Sequence, residues 1–139
     1  MNFQDNELYF IPLGGSEQFG VNLNIYGYKD RLLAVDMGIG FADEYFPGVD
    51  ILLPDYEFIQ SLGDKFLGII LTHGHEDHIG AIPYFADNIN CPIWGTPFTI
   101  ALLKRKLKES NKDNKLDLNI LNINKKFDVG PFQLKAIQT

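Results

Sequence analysis

From Leu8 to Leu13 a short apolar segment runs into Gly14-Gly15, which reads as a strand closed by a turn. In "VNLNIYGY", Val21, Leu23 and Ile25 alternate with Asn22, Asn24 and Tyr26. A period of two predicts a half-buried strand. Lys29-Asp30 then turns the chain into "RLLAV", a further strand that ends at Asp36. The stretch "GIGFADEYFPGVDILLPD" is dense in turn formers and acids and predicts a long loop. "DYEFIQSLGDK" predicts a short helix closed by Gly63. Phe66 to Leu71 is an unbroken apolar run, the pattern of a strand buried on both faces.

After residue 78 the period changes. Ile79, Ile82, Phe85, Ala86 and Ile89 recur at helical spacing with Pro83 among them. The helix therefore either kinks at Pro83 or begins near it, where a missing N–H costs little. "CPIWG" predicts a short strand. Thr96 followed by Pro97 predicts a helix start, with Ile100, Leu103 and Leu107 as its buried stripe. "LDLNILNIN" alternates again, and "KKFDVGPFQLKAIQT" predicts two strands joined by a turn at Gly130-Pro131. Strands at both ends and βαβ units in the middle, without repeat or low-complexity linker, predict one α/β domain over residues 1–139.

A chain of 139 residues with 45% hydrophobic and 13% aromatic side chains suits a single globular core, with disorder expected only around Ser110–Lys115. Cys91 is the one cysteine, so no intrachain disulfide forms, which fits a reducing compartment. The N-terminal "MNFQDNELYFIPLGG" lacks the pattern of a signal peptide, and no apolar segment approaches a membrane span. A cytoplasmic protein without a membrane partner is the expectation. Charge is unevenly spread. Residues 1–103 carry three basic and fourteen acidic side chains, a net of −11, whereas residues 104–126 carry eight basic and three acidic ones, a net of +5. The first part suits a cation site. The second suits a polyanion or a solvated helix face.

The whole histidine supply of the chain, His73, His75 and His78, lies in six consecutive residues together with Asp77, in "LTHGHEDHIGA". Neutral imidazole is the commonest metal ligand among side chains. On an extended backbone His73 and His75 share a face, so both reach one cation. Asp77 and His78 fall at the start of the next helix and can point to the same pocket or to an adjacent ion. A site just past the end of a buried strand is where α/β proteins place ligands. Packing alone does not account for three histidines and an aspartate gathered there. Gly14, Gly15 and Gly20 form a glycine-rich connection, but no Lys-Ser/Thr follows to make a nucleotide-binding loop.

"THGHEDHIG" resembles the His-x-His-x-Asp-His motif of the metallo-β-lactamase superfamily. The segments "IPLGGSEQFGVNLNIY", "LLAVDMGIGF", "FPGVDILLPD" and "LTHGHEDHIGAIPY" follow one another as in the ribonuclease J family of its β-CASP nuclease branch. This resemblance spans about Phe10 to Thr139. It implies the N-terminal half of an αββα sandwich and a zinc pair, with Mn2+ as an alternative. His73 and His75 would hold the first ion, and Asp77 and His78 the second, with Asp77 also orienting the attacking water. Asp36 matches an aspartate that orients a ligand or the adjacent loop from behind. Read from its own surroundings, it is equally a turn-forming aspartate before Gly38.

The implied activity is metal-dependent RNA hydrolysis, internal or from the 5′ end, with RNA as the partner of a full-length protein. The resemblance also implies further ligands and a β-CASP domain downstream of Thr139. The 139-residue chain alone is therefore expected to be inactive, and its metal may be absent. It is expected to form a homo-oligomer through an uncovered inner sheet face bearing Val21, Leu23, Ile25 and the Phe66–Leu71 strand. The competing readings are a small-molecule metallo-hydrolase of thioesterase or lactonase type and a non-catalytic truncated binding module.

Overall fold

The computed structural model describes residues 4–16, 20–42 and 47–139. Its centre is a six-stranded sheet. Strand β1 (Tyr9–Gly14) lies at one edge and pairs antiparallel with β2 (Leu23–Tyr28). An edge tolerates Pro12, which has no N–H to give a neighbour, and the register shifts between Pro12 and Gly14. β2 returns antiparallel as β3 (Arg31–Val35). The two linking residues, Lys29 and Asp30, have φ of 48° and 58°. Positive φ at both positions gives the turn whose twist suits a hairpin.

From β3 onward the sheet is parallel. A crossover through β4 (Gly40–Phe41), β5 (Ile51–Leu52) and α1 (Tyr56–Ser61) leads to β6 (Phe66–Ile70), which pairs with β3. A second crossover through α2 (Glu76–Ile79) and α3 (Ile82–Phe85) leads to β7 (Ile93–Gly95). A third, through α4 (Pro97–Glu109), leads to β8 (Leu118–Ile120). The strand order is β1-β2-β3-β6-β7-β8. A separate hairpin of β9 (Lys126–Val129) and β10 (Phe132–Lys135) turns at Gly130-Pro131. The Asp55 side chain caps α1 and that of Thr96 caps α4, with Pro97 opening the latter. Both side chains accept a backbone N–H that a helix start would leave unpaired.

The two faces of this sheet differ. The row Ile25–Ala34–Ile69–Ile93 faces the helices and is fully buried. It forms one core with Ile59 of α1, Ile79 of α2, Ile82 of α3, and Ile100 and Leu103 of α4. The next row across, Asn24–Val35–Ile70–Trp94–Asn119, points the other way and is only half-buried. Leu23 and Ile25 thus lie under the helices and not on an uncovered face. β6 is likewise sealed on one side only. An apolar run in a central strand says that neighbours flank it, not how completely each face is covered.

Three other expectations are corrected. Within the loop expected over 38–55, Gly40–Phe41 pairs with Ile51–Leu52 as a short ladder, while 43–46 lies outside the described residues. The single helical period over 79–89 is two short helices, because the chain breaks at Gly80-Ala81 and restarts with Pro83 in its first turn. Ser110–Lys115 is a defined turn. Asn111 and Asn114 take positive φ there, and Lys112 and Lys115 both pair with Asp87.

Candidate metal centre

Three chain segments meet at the C-terminal ends of β3 and β6. The first starts at Asp36, which is 4% exposed and has φ of 65°. Its backbone N–H donates to Ile70 O at 2.8 Å, so the residue is anchored to the end of β6. Residues 37–39 then run beside the start of α2. Met37 N–H donates to His78 O (2.8 Å) and Ile39 N–H to Glu76 O (3.0 Å). Between them Gly38 passes so close that a Cβ there would stand 1.6 Å from Asp77 O. Gly38 is what lets the motif pack against this segment.

The Asp36 carboxylate is the hub. Oδ1 accepts Thr72 N–H at 2.8 Å, and Oδ2 accepts the Thr72 hydroxyl at 2.7 Å. Oδ2 also lies 2.7 Å from His78 Nδ1. An ionised carboxylate only accepts, so His78 Nδ1 carries a proton and Nε2 of the neutral ring keeps its lone pair. A hydroxyl has one proton to give. That of Thr72 goes to Asp36, so its contact with His73 Nδ1 at 3.0 Å is a bond from the ring N–H to Thr72 Oγ1. His73 Nε2 is therefore also a free lone pair. Asp36 and Thr72 together fix two imidazoles in the tautomer that a cation requires.

The donor atoms come in two pairs. His73 Nε2 and His75 Nδ1 are 3.2 Å apart, and His78 Nε2 and Asp77 Oδ2 are 3.3 Å apart. Two nitrogens bound tetrahedrally at 2.0–2.1 Å would be separated by about 3.3 Å. The spacing of each pair fits a shared cation. The His73 and His78 rings stand 4.0 Å apart, centroid to centroid, which sets the two pairs side by side. Among the described residues no three His, Cys, Asp or Glu side chains converge on one point. The grouping is two and two. His73 and His75 are exposed, and Asp77 and His78 half-buried, so the centre opens to solvent. Desolvation, then the neighbouring rings of His78 and His75, hold the His73 pKa below its ordinary value. That keeps it neutral, as a ligand must be.

Sequence reasoning named Asp36 but missed Thr72 and the role of Gly38. A threonine beside a histidine carries no signal until the fold brings Asp36 to it. The basic block is less available than its count suggests. Lys106 pairs with Glu76, Lys112 and Lys115 with Asp87, and Arg105 with Glu109.

Residues 35–135 match the model of the metallo-beta-lactamase superfamily. The chain belongs to this superfamily. Within it the chain is similar to ribonuclease J of Sinorhizobium meliloti, with 36% identity over 138 residues, covering 96% of this chain and 24% of the relative. It is similar also to ribonuclease J of Helicobacter pylori, 41% identical over 98 residues, which covers 70% of this chain and 14% of that protein. The chain thus spans a quarter or less of the length of these relatives. The fold is shared with the metallo-beta-lactamase fold protein YhfI from Bacillus subtilis at a TM-score of 0.57 and 17% identity, covering 91% of this chain and 51% of that one. It is shared with the Rm3 metallo-beta-lactamase at 0.54 and 18%, covering 91% and 46%. Among the described residues no helix is long and apolar enough to cross a membrane.

Proposed function

We propose that this chain is the metal-binding part of a ribonuclease that hydrolyses RNA phosphodiester bonds, internally or from the 5′ end. The observation that carries the reading is the pairing of donor atoms at 3.2 Å and 3.3 Å in a chain 36% identical to a ribonuclease J over 138 residues. His73 and His75 would hold one divalent ion, and Asp77 and His78 a second, zinc or manganese, since a His/Asp set accepts several. Such ions supply an activated water at neutral pH and positive charge for the phosphate oxygens. Asp36 and Thr72 keep His73 and His78 in the ligating tautomer. Asp77 is the catalytic residue of the set, with a carboxylate that reaches the open side of the centre and orients the attacking water. The cytoplasm is the proposed location, in keeping with a single, unpaired Cys91.

The test is RNA cleavage by the complete gene product, followed on 5′-labelled RNA with and without chelator. Chelator-sensitive cleavage is expected there, and none from the 139-residue chain alone. Hydrolysis of thioesters or lactones with RNA left intact would refute the assignment in favour of the small-molecule reading. Robust cleavage by the 139 residues would show that the site needs no further ligands.

The half-covered sheet face supports self-association of the 139-residue chain. Ile70, Leu121, Phe127 and Leu134 line an apolar groove with Phe98 and Ile137, which are 71% and 70% exposed. On the same face Asn24 Oδ1 is buried without a partner among the described residues. Exposed apolar patches of this kind mark interaction surfaces. We expect a two-fold dimer at micromolar concentration by sedimentation. A monomer that binds no apolar dye would exclude it.

A further inference from the structure

We infer that Asn22 is a positioning residue for the Asp77–His78 pair, holding both donor atoms where a cation would meet them; this rests on the metal-centre reading above. In sequence Asn22 is one polar position in an alternating strand. In the fold it leaves the strand pattern. Val21, just before it, has φ of 52° and is buried, with its N–H on Ile39 O at 3.0 Å. Such a φ is rare for a β-branched residue and turns the backbone out of the line of β2. Asn22 then docks on the start of α2. Its backbone N–H donates to Asp77 O (3.1 Å), and its own carbonyl accepts Gly38 N–H (3.0 Å).

The side chain goes further than docking requires. Nδ2 donates to Asp77 O at 2.9 Å, and it also lies 3.3 Å from Asp77 Oδ2 and 3.3 Å from His78 Nε2. The latter two atoms are themselves 3.3 Å apart. One amide proton serves the backbone carbonyl. The other is shared by the carboxylate oxygen and the imidazole lone pair. Because Asp36 has taken the Nδ1 proton of His78, Nε2 is an acceptor, and the contact with an amide donor is attractive only in that tautomer. His78 is thus held at both nitrogens, and Asp77 at both its main-chain and side-chain oxygens. Leucine at position 22 would fill the same space with no donor. A purely structural residue would need the bond to Asp77 O and nothing more.

The test compares wild type with Asn22→Leu and Asn22→Ala by zinc titration calorimetry and by 15N NMR of the histidine rings in metal-free protein. Both variants should bind zinc roughly 10–100-fold more weakly, the usual loss when a partner behind a ligand is removed. The His78 Nε2 signal should be that of an unprotonated, hydrogen-bonded nitrogen in wild type and should move toward a free lone pair in the variants. Folded variants with unchanged zinc affinity and an unchanged Nε2 signal would overturn the inference. If neither variant folds, the wild-type spectrum decides: a protonated Nε2 overturns it, and an unprotonated, hydrogen-bonded one upholds it. If wild type binds no zinc, the metal-centre reading fails, and the ring signals of wild type and variants decide the role of Asn22 separately.

Discussion

Gly38→Ala is expected to destabilise the domain by about 3–5 kcal/mol and to dismantle the metal centre with it. The new methyl group would stand 1.6 Å from Asp77 O and 2.0 Å from Asp77 C. Both are backbone atoms, so no rotamer change relieves the clash. The strands of chain at 37–39 and 76–78 must move apart. That breaks the bonds from Met37 N–H to His78 O, from Ile39 N–H to Glu76 O and from Gly38 N–H to Asn22 O. At about 1 kcal/mol net for each hydrogen bond, plus the strain of the displaced segment, the loss reaches the range that single substitutions seldom exceed. A domain with 5–15 kcal/mol in total would be left marginal.

Urea unfolding measures the loss, and two other glycines serve as controls. Gly48 has φ of 81° and open space around its missing Cβ, so Gly48→Ala should cost only the roughly 1–2 kcal/mol of a left-handed backbone. Gly74 would meet chiefly the end of the Leu102 side chain, which can swing away. A Gly38→Ala protein as stable as the Gly48→Ala one would show that the contact with Asp77 is looser than described.

The second large effect is on metal content. The complete protein should carry about two divalent ions, the complement of a two-metal site. A His75→Ala/Asp77→Ala protein should lose most of both, together with RNA cleavage. The double change takes one donor from each pair. It should leave the fold in place, because His75 is exposed and the structural bonds of Asp77 run through its main chain, from Asn22 N–H to Asp77 O. Elemental analysis beside circular dichroism separates the outcomes. A folded double variant with unchanged metal content would remove these residues from the ligand set.

The alternation of Leu23 and Ile25 with Asn22 and Asn24, the apolar run of β6 and the Thr96-Pro97 start of α4 were all legible in the sequence. So was the histidine cluster. Each of these is a local matter: period, cap and ligand type are set by residues within a few positions of one another. Which face of the sheet is sealed was not legible. It depends on where three crossovers lay their helices, and the row Ile25–Ala34–Ile69–Ile93 looks no different in sequence from Val35–Ile70–Trp94. The support of the centre was not legible either. Asp36 meets His78 across 42 positions, and Asn22 meets Asp77 across 55. A hydrogen bond is directional and short, so contacts between residues so far apart in the chain exist only once the strands are paired. By itself the sequence determined the ligand types and the strand that presents them. Only the tertiary structure decided that Asp36, Thr72, Gly38 and Asn22 stand behind those ligands, because it alone brings the ends of β3 and β6 and the start of α2 to one place.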